Sequence, residues 1–97
     1  MDEKLMSIYQ SIAELGRKYH AEKIVLFGSR ARGDQRERSD IDLAVFGMPS
    51  DAQAGFLAAV DELPTLLKFD ITHVVPDMDQ NFLKNIEHDG VVLYEKD

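Results

Sequence analysis

The segment Phe27–Phe46 reads FGSRARGDQRERSDIDLAVF and contains the features that decide the fold. Before it, the short β-branched run KIVLF (23–27) predicts a buried strand, which Gly28 ends. A very polar loop follows, and the apolar run IDLAVF (41–46) then predicts a second buried strand. Residues 23–46 are therefore predicted to form two strands joined by a glycine-serine turn and a polar loop, with two aspartates where the second strand begins.

Those two aspartates are Asp40 and Asp42, which are two residues apart. Because alternate residues of a strand point to the same side, both carboxylates are expected on one face, with Ile41, Leu43 and Val45 on the other. Two carboxylates this close raise each other's pKa unless a cation lies between them. Oxygen ligands of this kind suit Mg²⁺ or Mn²⁺.

A third aspartate, Asp70, lies inside the apolar run FDITHVV (69–75), which predicts a third strand. An isolated acid there is costly to desolvate unless it meets a positive charge or a metal. If the second and third strands are neighbours, three carboxylates converge. Two alternatives stay open: Asp40 is a turn residue after Ser39, or Asp70 faces solvent on an alternating strand. Asp42 is harder to explain in this way because Asp is depleted inside strands.

The turn Gly28-Ser29 has the residue types of a phosphate-binding turn. Glycine lets the backbone come close to a phosphate, and the free N–H groups of a helical turn that begins there favour an anion. The loop after it is rich in arginine, with two interpretations left open: contact with a triphosphate, or a solvated charged loop. Its arginines are Arg30, Arg32, Arg36 and Arg38.

The rest of the chain alternates helices with short strands. Apolar residues at three- and four-residue steps predict an amphipathic helix from about Asp2 to His20. Further helices are expected over about 51–63, with Ser50 as its N-cap, and after Asp79, followed by a last strand VVLY (91–94). The pattern predicts an α/β or α+β fold in which a mixed sheet of about four strands is flanked by helices. Residues 1–97 are expected to form a single domain.

Composition narrows the functional classes. A chain of 97 residues is expected to hold one core, so that a large substrate would be bound by another chain. The net charge of −7 argues against direct DNA binding, and the absence of cysteine excludes disulfides and thiolate metal sites. No long apolar segment is present, so a protein without membrane association, in the cytoplasm, is the default expectation.

The spacing from Gly28-Ser29 to Asp40-Ile41-Asp42 is GSx₁₀DxD. Together with the later strand aspartate, it resembles the DNA polymerase β-type nucleotidyltransferase superfamily, and above all its minimal nucleotidyltransferases. The segments FGSRARG and SDIDLAV, the later FDITHV and the terminal IEHDGVVLYE are all similar to that family. The resemblance thus covers nearly the whole chain after the first helix.

The resemblance implies a nucleotidyltransferase fold and a set of site residues. It assigns Gly28, Ser29 and Arg30 to nucleotide binding, and Asp40 and Asp42 to two divalent metals, Mg²⁺ or Mn²⁺. Asp70 becomes a further metal ligand and the base that prepares the acceptor hydroxyl. The implied reaction transfers a nucleoside monophosphate, AMP from ATP, to that hydroxyl and releases pyrophosphate. The roles of Arg32, Arg36 and Arg38 stay open.

The resemblance also implies a partner. In the minimal family a separately encoded helical protein supplies the acceptor, either a HEPN-type toxin that the nucleotidyltransferase adenylylates as its antitoxin or another substrate-binding subunit. The alternative is a non-catalytic binding module that neutralises such a toxin by covering it. A homo-oligomer is left open. The histidines show no metal-ligand spacing and are interpreted as structural or exposed: His20, His73 and His88.

Overall fold

A computed structural model describes residues 3–33 and 39–97. Every strand and helix expected from the sequence is present within that part of the chain, and a short helical turn follows the first strand. In chain order the elements are α1 (Glu3–Lys18), β1 (Lys23–Phe27), α2 (Ser29–Arg32), β2 (Ile41–Phe46), α3 (Ser50–Asp61), β3 (Phe69–Val74), α4 (Gln80–Asp89) and β4 (Val91–Glu95). None of the described helices is long and apolar enough to cross a membrane.

The first helix is shorter than the sequence predicted. It ends at Lys18 rather than at His20, because His20 has a left-handed backbone with φ 67° that cannot continue the helix. At its start, Asp2 lies outside the described residues.

The prediction of Ser50 as an N-cap was wrong. Ser50 is the first residue of α3, and Pro49 precedes it without a side-chain cap. The fixed φ of proline, −56° here, places the Pro49 carbonyl where it accepts a hydrogen bond from the Ala52 amide at 3.0 Å. Helix α3 therefore begins one residue earlier than expected, and it ends at Asp61 instead of 63.

The strands form one mixed sheet, which confirms the predicted fold class. Its order is β3-β2-β1-β4, with β1 antiparallel to both of its neighbours and β2 parallel to β3. The main core lies on the face that α1 and α3 cover. As predicted from the alternation, the residues of β2 on that face are fully buried: Ile41, Leu43 and Val45.

Helix α4 covers part of the other face, where Val25 and Ala44 pack against Ile86. The predicted cap of this helix is confirmed, since the Asp79 carboxylate accepts a hydrogen bond from the Asn81 amide at 2.8 Å. This cap fixes where α4 begins, and the packing of Ile86 holds the helix on that face of the sheet.

Replacing Asp79 by Ala should lower the free energy of unfolding by about 1 kcal/mol, because the first turn of α4 loses its side-chain acceptor. For a domain of this size the expected drop in melting temperature is about 4–8 °C. Asp77→Ala is the matched control, since Asp77 is an exposed carboxylate in the preceding turn. Equal melting temperatures for the two variants, measured by circular dichroism, would show that the cap contributes nothing.

Candidate active site

The sheet topology brings the glycine-serine turn and the aspartates to one end of the sheet. Since β1 and β2 are antiparallel, the turn after Phe27 lies beside the start of β2, and Phe27 pairs with Asp42. Since β2 and β3 are parallel, Asp70 pairs with Asp42 across the two strands. The carboxylates of Asp42 and Asp70 therefore share one face, which is the face that carries α4.

Gly28 shapes the floor of this site. Its φ is 75°, a left-handed value that side chains rarely adopt. A Cβ atom built on Gly28 would overlap Oδ2 of Asp42. The glycine thus allows the backbone turn and also leaves the space that the Asp42 carboxylate occupies.

The pKa of the Asp42 carboxyl group is raised above its ordinary value. Burial raises its pKa, and the negative charges of Asp70 and Asp40 raise it further. The positive charge of Arg32 acts in the opposite direction and lowers it. Asp42 is therefore close enough to both other aspartates for their negative charges to act on it; the spacing predicted this for Asp40, and the pairing of β2 with β3 adds Asp70.

Solvent exposure was left open as an alternative for Asp70, and the structure has that arrangement. Asp70 is exposed because β3 is an edge strand of the sheet, so its carboxylate keeps contact with solvent. Asp40 is exposed as well and lies just before β2. Across residues 3–33 and 39–97, no three acidic or histidine side chains are drawn together into a closed ion-binding cluster. The three aspartates are neighbours at one edge, with Asp42 and Asp70 directly paired.

The residue types at this end of the sheet suit a divalent cation, although their side chains do not form a preassembled cluster. Asp40, Asp42 and Asp70 offer only carboxylate oxygens, which are the ligands that Mg²⁺ and Mn²⁺ prefer. A cation among them would relieve the repulsion that raises the pKa of Asp42. The space beside Gly28 also lets the Asp42 carboxylate lie against the Gly28-Ser29 turn.

The arginines of the loop differ in their surroundings. Arg30 donates two hydrogen bonds to the Ser39 carbonyl oxygen, from Nε at 3.0 Å and from Nη2 at 2.8 Å. Arg32 is exposed, and its charge reaches Asp42. Arg36 and Arg38 lie outside the described residues.

Two features of the site were not recognised in the sequence. The Tyr9 hydroxyl on α1 is hydrogen-bonded to the Arg30 side chain. Phe27, next to Asp42 in the sheet, packs edge to face against Phe82 of α4 with ring centroids 5.6 Å apart. In the sequence, Phe27 belongs to a predicted buried strand and Phe82 is a candidate core residue, whereas no pattern singled out Tyr9. Their position beside the site depends on packing between elements distant in the chain.

The histidines lie away from the paired carboxylates in different surroundings. His20 and His88 are exposed, and His88 contacts Asp89. His73 is half-buried, and burial lowers its pKa. Its position on β3 is opposite Val45, on the α1/α3 face of the sheet rather than the face of Asp42. This agrees with their interpretation as structural or exposed residues.

The family model of the polymerase β nucleotidyltransferase domain matches residues 10–97, a span that contains the turn and all three aspartates. The chain belongs to this nucleotidyltransferase family. The nucleotidyltransferase is also similar to two Methanocaldococcus jannaschii proteins named as candidate protein adenylyltransferases. MJ0128 is 35% identical over 81% of this chain and 83% of its own length, and MJ1215 is 36% identical over 60% and 67%.

Solved structures share the fold of the nucleotidyltransferase. A candidate minimal nucleotidyltransferase matches with a TM-score of 0.71 and 26% identity, over 94% of this chain and 95% of that one. A toxin-antitoxin structure with AMP-PNP matches with a TM-score of 0.66 and 23% identity, over 91% and 73%. A Shewanella oneidensis complex of a tri-AMPylated HEPN toxin with an MNT antitoxin matches with a TM-score of 0.64 and 18% identity, over 94% and 72%.

Proposed function

We propose that this nucleotidyltransferase transfers AMP from ATP to a hydroxyl group of a partner protein or a small molecule, with release of pyrophosphate. The observation that carries the proposal is the pairing of Asp42 with Asp70 beside the Gly28-Ser29 turn. A turn whose N–H groups can bind phosphate, beside acids that can hold divalent cations, can supply the positioning and charge stabilisation by which phosphoryl transfer is catalysed. The family match supports the reaction class.

The residues of the turn would bind the phosphates of ATP. The first N–H groups of α2, which begins at Ser29, have no carbonyl partner within the helix and favour an anion. Arg32 adds positive charge near Asp42. Asp40, Asp42 and Asp70 would hold Mg²⁺ or Mn²⁺, which when bound would neutralise charge at the α-phosphate and lower the pKa of the attacking hydroxyl.

Asp70 is the proposed general base. Its carboxylate is exposed, so an acceptor hydroxyl can approach it from solvent. The carboxylate takes the hydroxyl proton, the acceptor oxygen forms a bond to the α-phosphorus, and the bond from that phosphorus to the pyrophosphate oxygen breaks. Asp42 is half-buried and pairs with Asp70, so the position of the Asp70 base is fixed relative to the turn.

The proposed acceptor is a helical partner protein of the HEPN type, with this chain as its antitoxin. The support is the shared fold with an antitoxin in a complex that contains an AMPylated HEPN toxin. Similarity to the candidate protein adenylyltransferases supports a protein acceptor independently of that fold. The competing proposal is that the chain neutralises such a toxin only by covering it.

Asp70→Asn separates catalysis from covering. We expect this variant to lose AMP transfer and neutralisation of the partner while it still binds the partner, because one exposed carboxylate contributes little to a broad protein interface. The measurement combines growth on co-expression with mass spectrometry of the partner for an added AMP. EDTA in the transfer assay should have the same effect as the substitution. Asp77→Asn, an exposed acid in the turn after β3, is the matched control and should keep transfer.

Retained neutralisation by Asp70→Asn, with no AMP on the partner, would support covering and contradict the enzymatic proposal. No transfer by the wild type to any hydroxyl, with α-labelled ATP and Mg²⁺ and with the product of the neighbouring gene present, would contradict it as well.

A further inference from the structure

Arg30 links the two ends of the segment that joins the glycine-serine turn to the aspartates. This loop leaves α2 at Gly33 and returns at Ser39, one residue before Asp40. Both Nε and Nη2 of Arg30 donate to the Ser39 carbonyl oxygen, at 3.0 and 2.8 Å. Hydrogen bonds from an ionised donor are among the stronger ones, and two of them to one oxygen fix its position.

The Arg30 side chain also contacts α1. Arg30 is hydrogen-bonded to the Tyr9 hydroxyl, and both residues line a cavity together with Leu26 and Leu93. Tyr9 packs against the main core, so its position is set by that core. Arg30 is therefore held between a fixed helix and the returning end of the loop.

Arg30 and the carboxylate of Asp42 have different neighbours. Leu26, which shares the cavity with Arg30, belongs to the α1 face, whereas the next residue, Phe27, is paired with Asp42 on the α4 face. Within the described part of the chain, the positive charge that lowers the pKa of the Asp42 carboxyl is that of Arg32. The Arg30 guanidinium is thus directed to backbone and helix, and Arg32 is the arginine nearer to the acids.

We propose that Arg30 is a positioning residue, which fixes Ser39 and through it Asp40 and Asp42, rather than a ligand of the ATP phosphates. The inference rests on the proposed function for the meaning of those aspartates. After Ser39 the chain enters β2, where the Ile41 amide donates to the Lys68 carbonyl at 2.9 Å. Release of Ser39 should loosen this first hydrogen bond between β2 and the segment before β3.

The experiment compares Arg30→Met, which removes the charge, with Arg30→Lys, which keeps the charge but loses the planar fork. Hydrogen exchange at the Ile41 amide is measured without ligand, and Mn²⁺ binding is measured without nucleotide by water-proton relaxation. Loss of a residue that orients metal ligands typically weakens metal binding about 10- to 100-fold. We expect both variants to exchange about tenfold faster at Ile41 and to bind Mn²⁺ at least about tenfold more weakly.

A phosphate ligand would behave differently. Lysine serves phosphate as a point charge, so Arg30→Lys would then retain most ATP affinity, with exchange at Ile41 unchanged in both variants. Unchanged exchange overturns the proposal, and so does faster exchange without loss of Mn²⁺ affinity, since Arg30 would then act on the fold alone. Arg17→Met, which removes an exposed arginine from the last turn of α1, is the control and should change neither quantity.

Tyr9→Phe is the second variant, in case Arg30→Met does not fold. It removes only the hydroxyl that Arg30 contacts, and a smaller change in the same direction is expected at Ile41 and in Mn²⁺ affinity. The exchange measurement needs no ATP. If the wild type neither binds ATP nor transfers AMP, the proposed function fails, while faster exchange at Ile41 still tests whether Arg30 holds the start of β2.

Discussion

Asp42→Asn is expected to reduce AMP transfer by at least about 1,000-fold and to leave the protein folded. Asp42 is the acid that contacts both the turn and the other aspartates, since it lies against Gly28 and pairs with Asp70. An amide in its place removes the charged oxygen ligand of a divalent cation, and such a cation stabilises the transition state by several kcal/mol. Transfer is measured with α-labelled ATP, Mg²⁺ and the partner protein.

The stability of Asp42→Asn tests whether the loss of AMP transfer comes from a lost charge in the site or from unfolding. Like charges and burial disfavour ionised Asp42, so without metal Asp42→Asn should keep or raise the free energy of unfolding, by up to about 1 kcal/mol. Asp77→Asn, an exposed acid outside the site, should leave both transfer and stability unchanged. A large drop in melting temperature for Asp42→Asn alone would instead identify Asp42 as a structural residue.

The pH dependence of this stability difference has a definite sign. The folded-state pKa of Asp42 is raised, so its ionised form destabilises the fold above that pKa. As the pH falls through the raised pKa, the proton relieves the repulsion. The advantage of Asp42→Asn should therefore be largest near neutral pH and should disappear in acid, where Asp42 is protonated in both the folded and the unfolded states.

Gly28→Ala is expected to weaken ATP binding in Mg²⁺ by at least about 100-fold. Its Cβ would overlap the Asp42 Oδ2 atom, so the carboxylate or the turn must move, and displacement of site groups by about 1 Å can cost that factor. The substitution also places a side chain at φ 75° and ψ −154°, a region that only glycine adopts readily, which adds about 1–3 kcal/mol of strain. Calorimetry with ATP and thermal unfolding measure the two effects.

Gly33→Ala is the matched control for this prediction. Gly33 also has a positive φ, 84°, in the αL conformation, but no atom of the described residues lies within 4 Å of a Cβ built there. Gly28→Ala should lose at least as much stability as Gly33→Ala, because its backbone (ψ −154°) lies in a region that only glycine adopts readily, whereas only Gly28→Ala should lose ATP binding. Equal losses of affinity would show that the general strain of the turn matters and that contact with Asp42 does not.

Much of the fold was predictable from local patterns. The runs KIVLF and IDLAVF form strands at the predicted bounds. A short apolar run with β-branched residues favours a buried strand at any position in the sheet. The cap of α4 by Asp79 was predictable too, since a cap involves residues only two positions apart. The Ser50 cap failed because Pro49 supplies the helix start through its backbone.

The amino-acid sequence by itself determined the strands, the helices and the GSx₁₀DxD spacing, since these depend on residues close together in the chain. Only the tertiary structure decided that β2 and β3 are parallel neighbours, which pairs Asp42 with Asp70 and leaves Asp70 exposed on an edge strand. It also decided the orientation of the Arg30 side chain, whose partners are a carbonyl nine residues away and a tyrosine on another helix. The physical reason is that strand order and the partners of a long charged side chain are chosen by packing between distant elements, which no local pattern contains.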